Sequence, residues 1–158
     1  MKPLMHIGKS GEAKMVDVSA KKPTLREAKA SATIFASPDL IRQIKKKALP
    51  KGDVLTVAKV AGIQAAKRTH ELIPMCHPLQ IKHIEIGISL KENSIEVIST
   101  VKAFDRTGVE MEALTAVAVA ALTIYDMCKS FEKGIVISDV MLLEKKGGKS
   151  GMWKRMGQ

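Results

Sequence analysis

The sequence predicts an α+β sandwich: an antiparallel sheet with helices on one face. Three observations carry this. Ile81–Leu90 and Ile95–Ala103 both alternate apolar and polar residues, and the turn residues Lys91-Glu92-Asn93-Ser94 join them into a hairpin. Helical patterns lie on both sides of that hairpin. One strand pattern precedes the first helix and another follows the last. Merging the two early helices gives βαββαβ, the order of a ferredoxin-like sandwich.

Each element has a local reason. Residues 1–14 lack periodicity and are expected to form a flexible N-terminal tail. Thr24–Ala36 alternates weakly and reads as a strand. Ser37-Pro38-Asp39 opens a short helix with Pro in its first turn. Lys45-Lys46-Lys47 falls in its last turn, where cations suit the helix dipole. Pro50-Lys51-Gly52 breaks the chain, and Asp53 caps a second helix running to about Leu72. Val54, Val57, Ala61, Ala65 and Leu72 are expected near its buried face. In the hairpin, Ile84, Ile86, Ile88 and Leu90 share one side of the first strand. Ile95, Val97, Ser99 and Val101 share one side of the second. Thr107-Gly108-Val109-Glu110 has capping-box spacing and opens a long helix to about Phe131, with Gly134 as its stop. Ile135–Leu143 reads as the last strand and Glu144–Gly151 as a Lys/Gly-rich loop. Residues 15–151 form one domain, followed by a basic tail at 152–158. Helices cover one face of the sheet only, which predicts an oligomer.

Composition narrows the function. A chain of 158 residues that is 46% hydrophobic can build one real core. The formal net charge of +10 points to an anionic partner: nucleic acid, a membrane surface or a phosphorylated small molecule. Aromatic residues are only 3% of the chain, too few for a stacking platform on single strands. Cys76 and Cys128 have no metal-ligand spacing and are too few for a disulfide framework, so they read as free thiols of a cytoplasmic protein. Lys2 and Met5 lead into Gly8-Lys9-Ser10-Gly11, which is no secretory signal. The longest apolar run, near Ala113–Ile124, is short for a bilayer and carries two Thr.

Several residues could carry chemistry, and each has a bland reading beside the functional one. Asp126 lies four residues after Leu122 and seven after Val119, so it interrupts an apolar stripe. Burial there would raise its pKa unless a cation compensates, and Lys129 is on the same face. The bland alternative is an ion pair at the helix end, where an acid opposes the dipole. Glu110 and Glu112 are ordinary acids of a helix N-terminus, or part of a site. Lys51 in a Pro-Lys-Gly turn is either solvated or a phosphate contact on a stiff loop. Pro74 and Pro78 bracket Met75-Cys76-His77, which reads as rigid extended backbone. Neighbours on such a strand point to opposite sides, so Cys76 and His77 make a poor dyad within one subunit. His77 is better read as an acid, base or hydrogen-bond donor. Leu143 occupies the position where a Walker A loop ending at Gly148-Lys149-Ser150 needs Gly.

Taken together the motifs go further. Met15-Val16-Asp17-Val18-Ser19, Lys51-Gly52-Asp53, Gly62-Ile63-Gln64-Ala65-Ala66-Lys67, Ile73-Pro74-Met75-Cys76-His77-Pro78-Leu79, Thr107–Ala116, Leu122–Lys129 and Gly147-Gly148-Lys149-Ser150-Gly151 resemble the MoaC family, over roughly residues 14–151. The resemblance implies a ferredoxin-like lyase of molybdenum cofactor biosynthesis. Such an enzyme converts 3′,8-cyclo-7,8-dihydro-GTP, made by an upstream radical enzyme, into cyclic pyranopterin monophosphate and pyrophosphate. It also implies a hexamer, a trimer of dimers with interfacial active sites, and no metal or organic cofactor. Carried over by position, Asp126 is the catalytic acid/base, with Lys51 and Lys129 as catalytic lysines. Met75, Cys76, His77, Met111 and Glu112 line the substrate, and Lys145 faces its phosphates. Three positions depart from the pattern: Met75 for a common Leu, His70 for a common aromatic, and the basic Trp153-Lys154-Arg155 after Gly151.

The conversion that the resemblance implies needs hydrolytic ring opening, reclosure and phosphate cyclisation, which are proton transfers and attack at phosphorus that acid/base groups and cations can serve. The Lys51 loop and the Cys76-His77 loop follow the two ends of one helix of about 19 residues, roughly 28 Å long. One subunit is therefore not expected to bring both to one substrate. The competing reading is a basic ferredoxin-like module for nucleic acid. RNA-binding sheets place aromatics on their middle strands. Ile81–Leu90 has none, and Ile95–Phe104 has only Phe104 at its end. No nucleic acid and no membrane partner is expected.

Overall fold

The computed structural model describes residues 11–156. Most of the expected N-terminal tail, residues 1–10, lies outside the described residues, as do 157–158. The elements are β1 (Thr24–Phe35), α1 (Pro38–Lys45), α2 (Val54–Lys67), α3 (Thr69–Leu72), β2 (Ile81–Leu90), β3 (Ser94–Asp105), α4 (Glu110–Cys128), β4 (Val136–Lys146) and β5 (Trp153–Lys154). The sheet order is β2-β3-β1-β4-β5, and every neighbouring pair is antiparallel. The first four strands have the ferredoxin-like order, and β5 is a short added edge.

Alternation decides which face is covered. Ala28, Ala30, Ala32 and Ile34 of β1, with Ile95, Val97, Ser99, Val101 and Ala103 of β3, are buried toward the helices. α4 packs against them through Ala113, Ala116, Val117, Ala120, Ala121 and Ile124. Small side chains on both sides permit that close approach. Ser99 fits this apolar layer because its Oγ donates to the Ala113 carbonyl at 2.8 Å. α2 also packs closely on α4. A Cβ on Gly62 would lie 2.9 Å from the Ala116 carbonyl oxygen and 3.3 Å from Ala120 Cβ.

Caps follow the sequence in two places and not in a third. Ser37 accepts from Leu40 N at the start of α1, and Asp53 accepts from Thr56 N at the start of α2. Val109, not Thr107, is the N-cap of α4, and no side chain caps it. The capping box does not form because the helix begins at Glu110. α4 also ends at Cys128, before Phe131. The expected single helix to Leu72 breaks at Arg68, and the buried Thr69 Oγ1 donates to the Ala65 and Ala66 carbonyls there. Its buried face is Val54, Ala58, Gly62, Ala65 and Ala66. Val57 and Leu72 are 45% and 57% exposed, so the stripe is rotated from the expected one. At 19 residues, α4 is long and apolar enough to cross a membrane, contrary to the short run expected. Its alanine row lies in the protein core instead.

Candidate active site

The residues the sequence singles out lie at the two ends of α4. At its C-terminal end, Asp126 meets two lysines. Lys51 Nζ donates to Asp126 Oδ2 and to the Asp126 carbonyl, each at 2.9 Å. Lys129 Nζ lies 2.7 Å from Oδ1. The turn from Leu49 to Gly52 places Lys51 there, and one helical turn places Lys129. Asp126 is not desolvated as expected: its side chain is 56% exposed. The stripe it interrupts is an exposed one, since Leu122 is 58% exposed. Hydrogen bonds from Lys129 and Lys51 therefore decide its ionisation and hold the carboxyl down at about 2. The carboxylate in turn raises the Lys129 ammonium. Two cations around one anion make a net positive, solvent-facing group, which suits an anionic ligand.

At the N-terminal end of α4, Met75, Cys76, His77, Met111 and Glu112 line a cavity of about 300 Å³. Here Met75 does not belong to the expected extended run. Cys76 N bonds to the Ile73 carbonyl at 3.0 Å, so Ile73-Pro74-Met75-Cys76 is a tight turn with Pro in its second position. That turn lets Cys76 and His77 both line the cavity. Glu112 is 4% exposed, and burial pushes its carboxyl up to about 7, with Glu110 and Asp105 adding repulsion. Its own backbone N–H partly opposes the rise. Burial and the Glu112 charge raise the Cys76 thiol as well. Val16, Val18 and Lys21 close the cavity from the N-terminal side.

The burial expected at Asp126 falls instead on Glu112, while the compensating Lys129 stands where the sequence placed it. Asp126 is the exposed, fully ionised one. Glu112 is the buried one that titrates near neutrality. The available signal was Ala113 and Ala116 beside it, which set the buried face of the first turn.

Lys145 lies at this same end of the sheet. It pairs with Ala28, a residue facing the helices, so it emerges on the helix-covered side. Its Nζ donates to Ser150 Oγ. Arg26 escaped the sequence reading. Its Nε and Nη2 donate to the Asp105 and Arg106 carbonyls ahead of α4, each at 3.3 Å. Its guanidinium also lies against Gly148, where a Cβ would collide with it.

Glu112 and Asp126 are 14 residues apart on one helix, about 21 Å. Within one chain the two groups of side chains do not meet. The sheet face away from the helices carries Phe35 and Phe104 at opposite ends of the middle strands β1 and β3. Glu27 and Glu96 stand between them on that face, which is no stacking platform for bases. Among the described residues, no group of three His, Cys, Asp or Glu could hold a metal ion.

Comparison with known proteins agrees with the motifs. The MoaC family model matches residues 15–148. A protein of Geobacter sulfurreducens is 55% identical over 152 residues, covering 95% of each chain. One of Heliobacterium modesticaldum is 52% identical over 157 residues, covering 98% of this chain and 99% of its own. One of Streptomyces avermitilis is 52% identical over 152 residues, covering 96% of this chain and 89% of its own. All three carry the name cyclic pyranopterin monophosphate synthase.

Proposed function

This chain belongs to the MoaC family, and from that premise we propose that it is a lyase of molybdenum cofactor biosynthesis. Its reaction turns 3′,8-cyclo-7,8-dihydro-GTP, supplied by an upstream radical enzyme, into cyclic pyranopterin monophosphate and pyrophosphate. The observation that carries the site assignment is the pairing of a solvent-facing lysine clamp with a buried, near-neutral carboxyl on one helix.

The chemistry divides between the two ends. In the phosphate step a ribose hydroxyl oxygen attacks the α-phosphorus. The bond to the β-phosphate breaks, and pyrophosphate leaves with the bonding electrons. Lys51, Lys129 and Lys145 supply cations for the triphosphate and the developing charge. Asp126 holds Lys51 and Lys129 in place and accepts protons when the substrate displaces one of them. In the ring rearrangement, hydrolytic opening and reclosure need a group that gains and loses protons near neutrality. Glu112 has that property, with His77 beside it in the cavity. Cys76 stays a thiol and shapes the wall, as do Met75 and Met111.

A single substrate needs both ends, so a second copy of the chain completes each site, within a cytoplasmic hexamer built as a trimer of dimers. The 21 Å between Glu112 and Asp126, estimated from the helical rise, supports this. So do the exposed Val57, Val60 and Leu122 on the outer helix faces. Lys51 and Asp126 touch within one chain, so variants of these two residues belong to one half-site and cannot complement. Asp126→Ala mixed with His77→Ala should recover part of the wild-type turnover after subunit exchange. Recovery from Asp126→Ala mixed with Lys51→Ala, or none from the first pair after proven exchange, would refute the shared site. The activity itself is tested by incubating chelator-treated protein with the cyclised GTP and following pyrophosphate and pterin product. Absence of both products sinks the proposal.

A further inference from the structure

The segment after Gly151 lies beyond the family match, which ends at residue 148, and none of residues 151–156 is buried, Trp153 being 41% exposed. Core formation does not explain why it is ordered against the sheet. Yet it is tied down at several points. Trp153 pairs with Lys145 and Lys154 with Glu144. Arg155 N donates to the Leu143 carbonyl at 2.9 Å, and Arg155 Nε to the Leu142 carbonyl at 2.9 Å. The Arg155 guanidinium sits 5.8 Å from the Trp153 ring centroid, a cation–π contact.

What these ties hold is the stretch that carries Lys145. Between β4 and β5 the chain passes through Gly147, Gly148 and Gly151, all with positive φ. Such a loop has little stiffness of its own. It is pinned on one side by Leu25 and Arg26, which pack against Gly147 and Gly148. On the other side it is tied by Gly151 N donating to the Gly148 carbonyl and by β5. Ser150, between the pins, receives the Lys145 ammonium. Lys146 takes the opposite face, where it lies 2.6 Å from Glu144 and 3.8 Å from Glu27. The Lys145 side chain is held by Ser150 Oγ, and its backbone by the pairing of β4 with β1.

We propose that Trp153 and Arg155 are positioning residues: they clamp β5 onto β4 so that the glycine loop and Ser150 hold Lys145 toward the substrate phosphates. This rests on the reading of Lys145 as a phosphate-facing lysine. The clamp acts on substrate capture and not on the fold.

The test compares steady-state turnover of the cyclised GTP by the full chain, a chain ending at Gly151, Arg155→Ala and Trp153→Phe, with Lys145→Ala alone and combined with the truncation. Truncation and Arg155→Ala should raise KM about tenfold while kcat stays within about twofold. The melting temperature should move little, because no buried residue is lost. Trp153→Phe keeps a ring for Arg155 and should stay near wild type. In the Lys145→Ala background the truncation should add nothing further. If Lys145→Ala is harmless, the reading of Lys145 is wrong. If Lys145→Ala raises KM but the tail changes do not, or if the two effects multiply, the clamp is refuted alone. If the truncated chain does not fold, Arg155→Ala carries the same comparison.

Discussion

Replacing Glu112 with Gln tests the reading of α4 most directly, because stability and activity should move in opposite directions. The native carboxyl is raised from 4.5 to about 7. The unfolded chain releases this proton near 4.5, while the folded protein keeps it to about 7. Between those values the native state binds more protons, so its stability falls as pH rises. Below about 4.5 both states are protonated and the penalty vanishes. Above about 7 it is complete. At about 1.4 kcal/mol per pH unit the loss is about 3 kcal/mol. Gln keeps the shape and carries no charge, so Glu112→Gln should melt higher at about pH 8, by roughly 6–12 °C for a chain of this size. At about pH 4 the two proteins should melt together. Scanning calorimetry from about pH 4 to 8 gives the comparison. A gain of equal size at both ends of that range would mean that packing, not ionisation, is responsible. No gain at about pH 8 would mean the carboxylate is compensated by a charge. Turnover of the more stable variant should fall, since its amide cannot exchange a proton.

Two further outcomes follow from the same geometry. Gly62→Ala gains about 1 kcal/mol of helix propensity but sets a methyl group 2.9 Å from the Ala116 carbonyl. Overpacking costs about 1–3 kcal/mol, so the melting temperature should fall, and a rise would show that α2 can shift away from α4. Lys51→Ala, Lys129→Ala and Lys145→Ala should each lower kcat/KM at least tenfold, about 1.4 kcal/mol. Changing Lys45, Lys46 and Lys47 together should leave kcat/KM near wild type, although it removes the exposed Lys47–Asp53 pair. A triple variant as impaired as the single ones would return the charge to a diffuse nucleic-acid surface, whose binding would also weaken steeply with salt.

What was legible in the sequence follows the reach of each signal. The period-two rows of β2 and β3, the Ser37 and Asp53 caps and the Pro-Lys-Gly break are local, and the structure has them as read. The failures arise where tertiary packing decides. Thr107 has capping-box spacing, but the chain leaving β3 turns so that α4 starts at Glu110. Of the expected α2 face, Val54 and Ala65 are buried, and Val57 and Leu72 are not. The buried row also takes in Ala58, Gly62 and Ala66, and at Gly62 the approach to α4 leaves no room for a Cβ. Small residues carry a weak hydrophobic signal and a strong packing one. The turn over residues 73–76 is hidden because a residue before Pro favours extended backbone, while Pro74 itself suits the second position of a turn.

The same distinction separates the two carboxyls. An apolar stripe on a helix can face the core or a second copy of the chain, and periodicity alone does not separate them. Leu122 marks the outward stripe, so Asp126 beside it meets water and lysines. Glu112 was discounted because acids suit a helix N-terminus, but its neighbour Ala113 is completely buried. The helix dipole and its own N–H favour the charged form, yet burial outweighs them. A buried acid that stays partly protonated near neutrality costs stability and gains nothing structural, which is the pattern expected of a residue retained for proton transfer. On the shared-site reading proposed above, a second chain covering the exposed stripe around Asp126 would take water from the lysines and strengthen their attraction for a triphosphate.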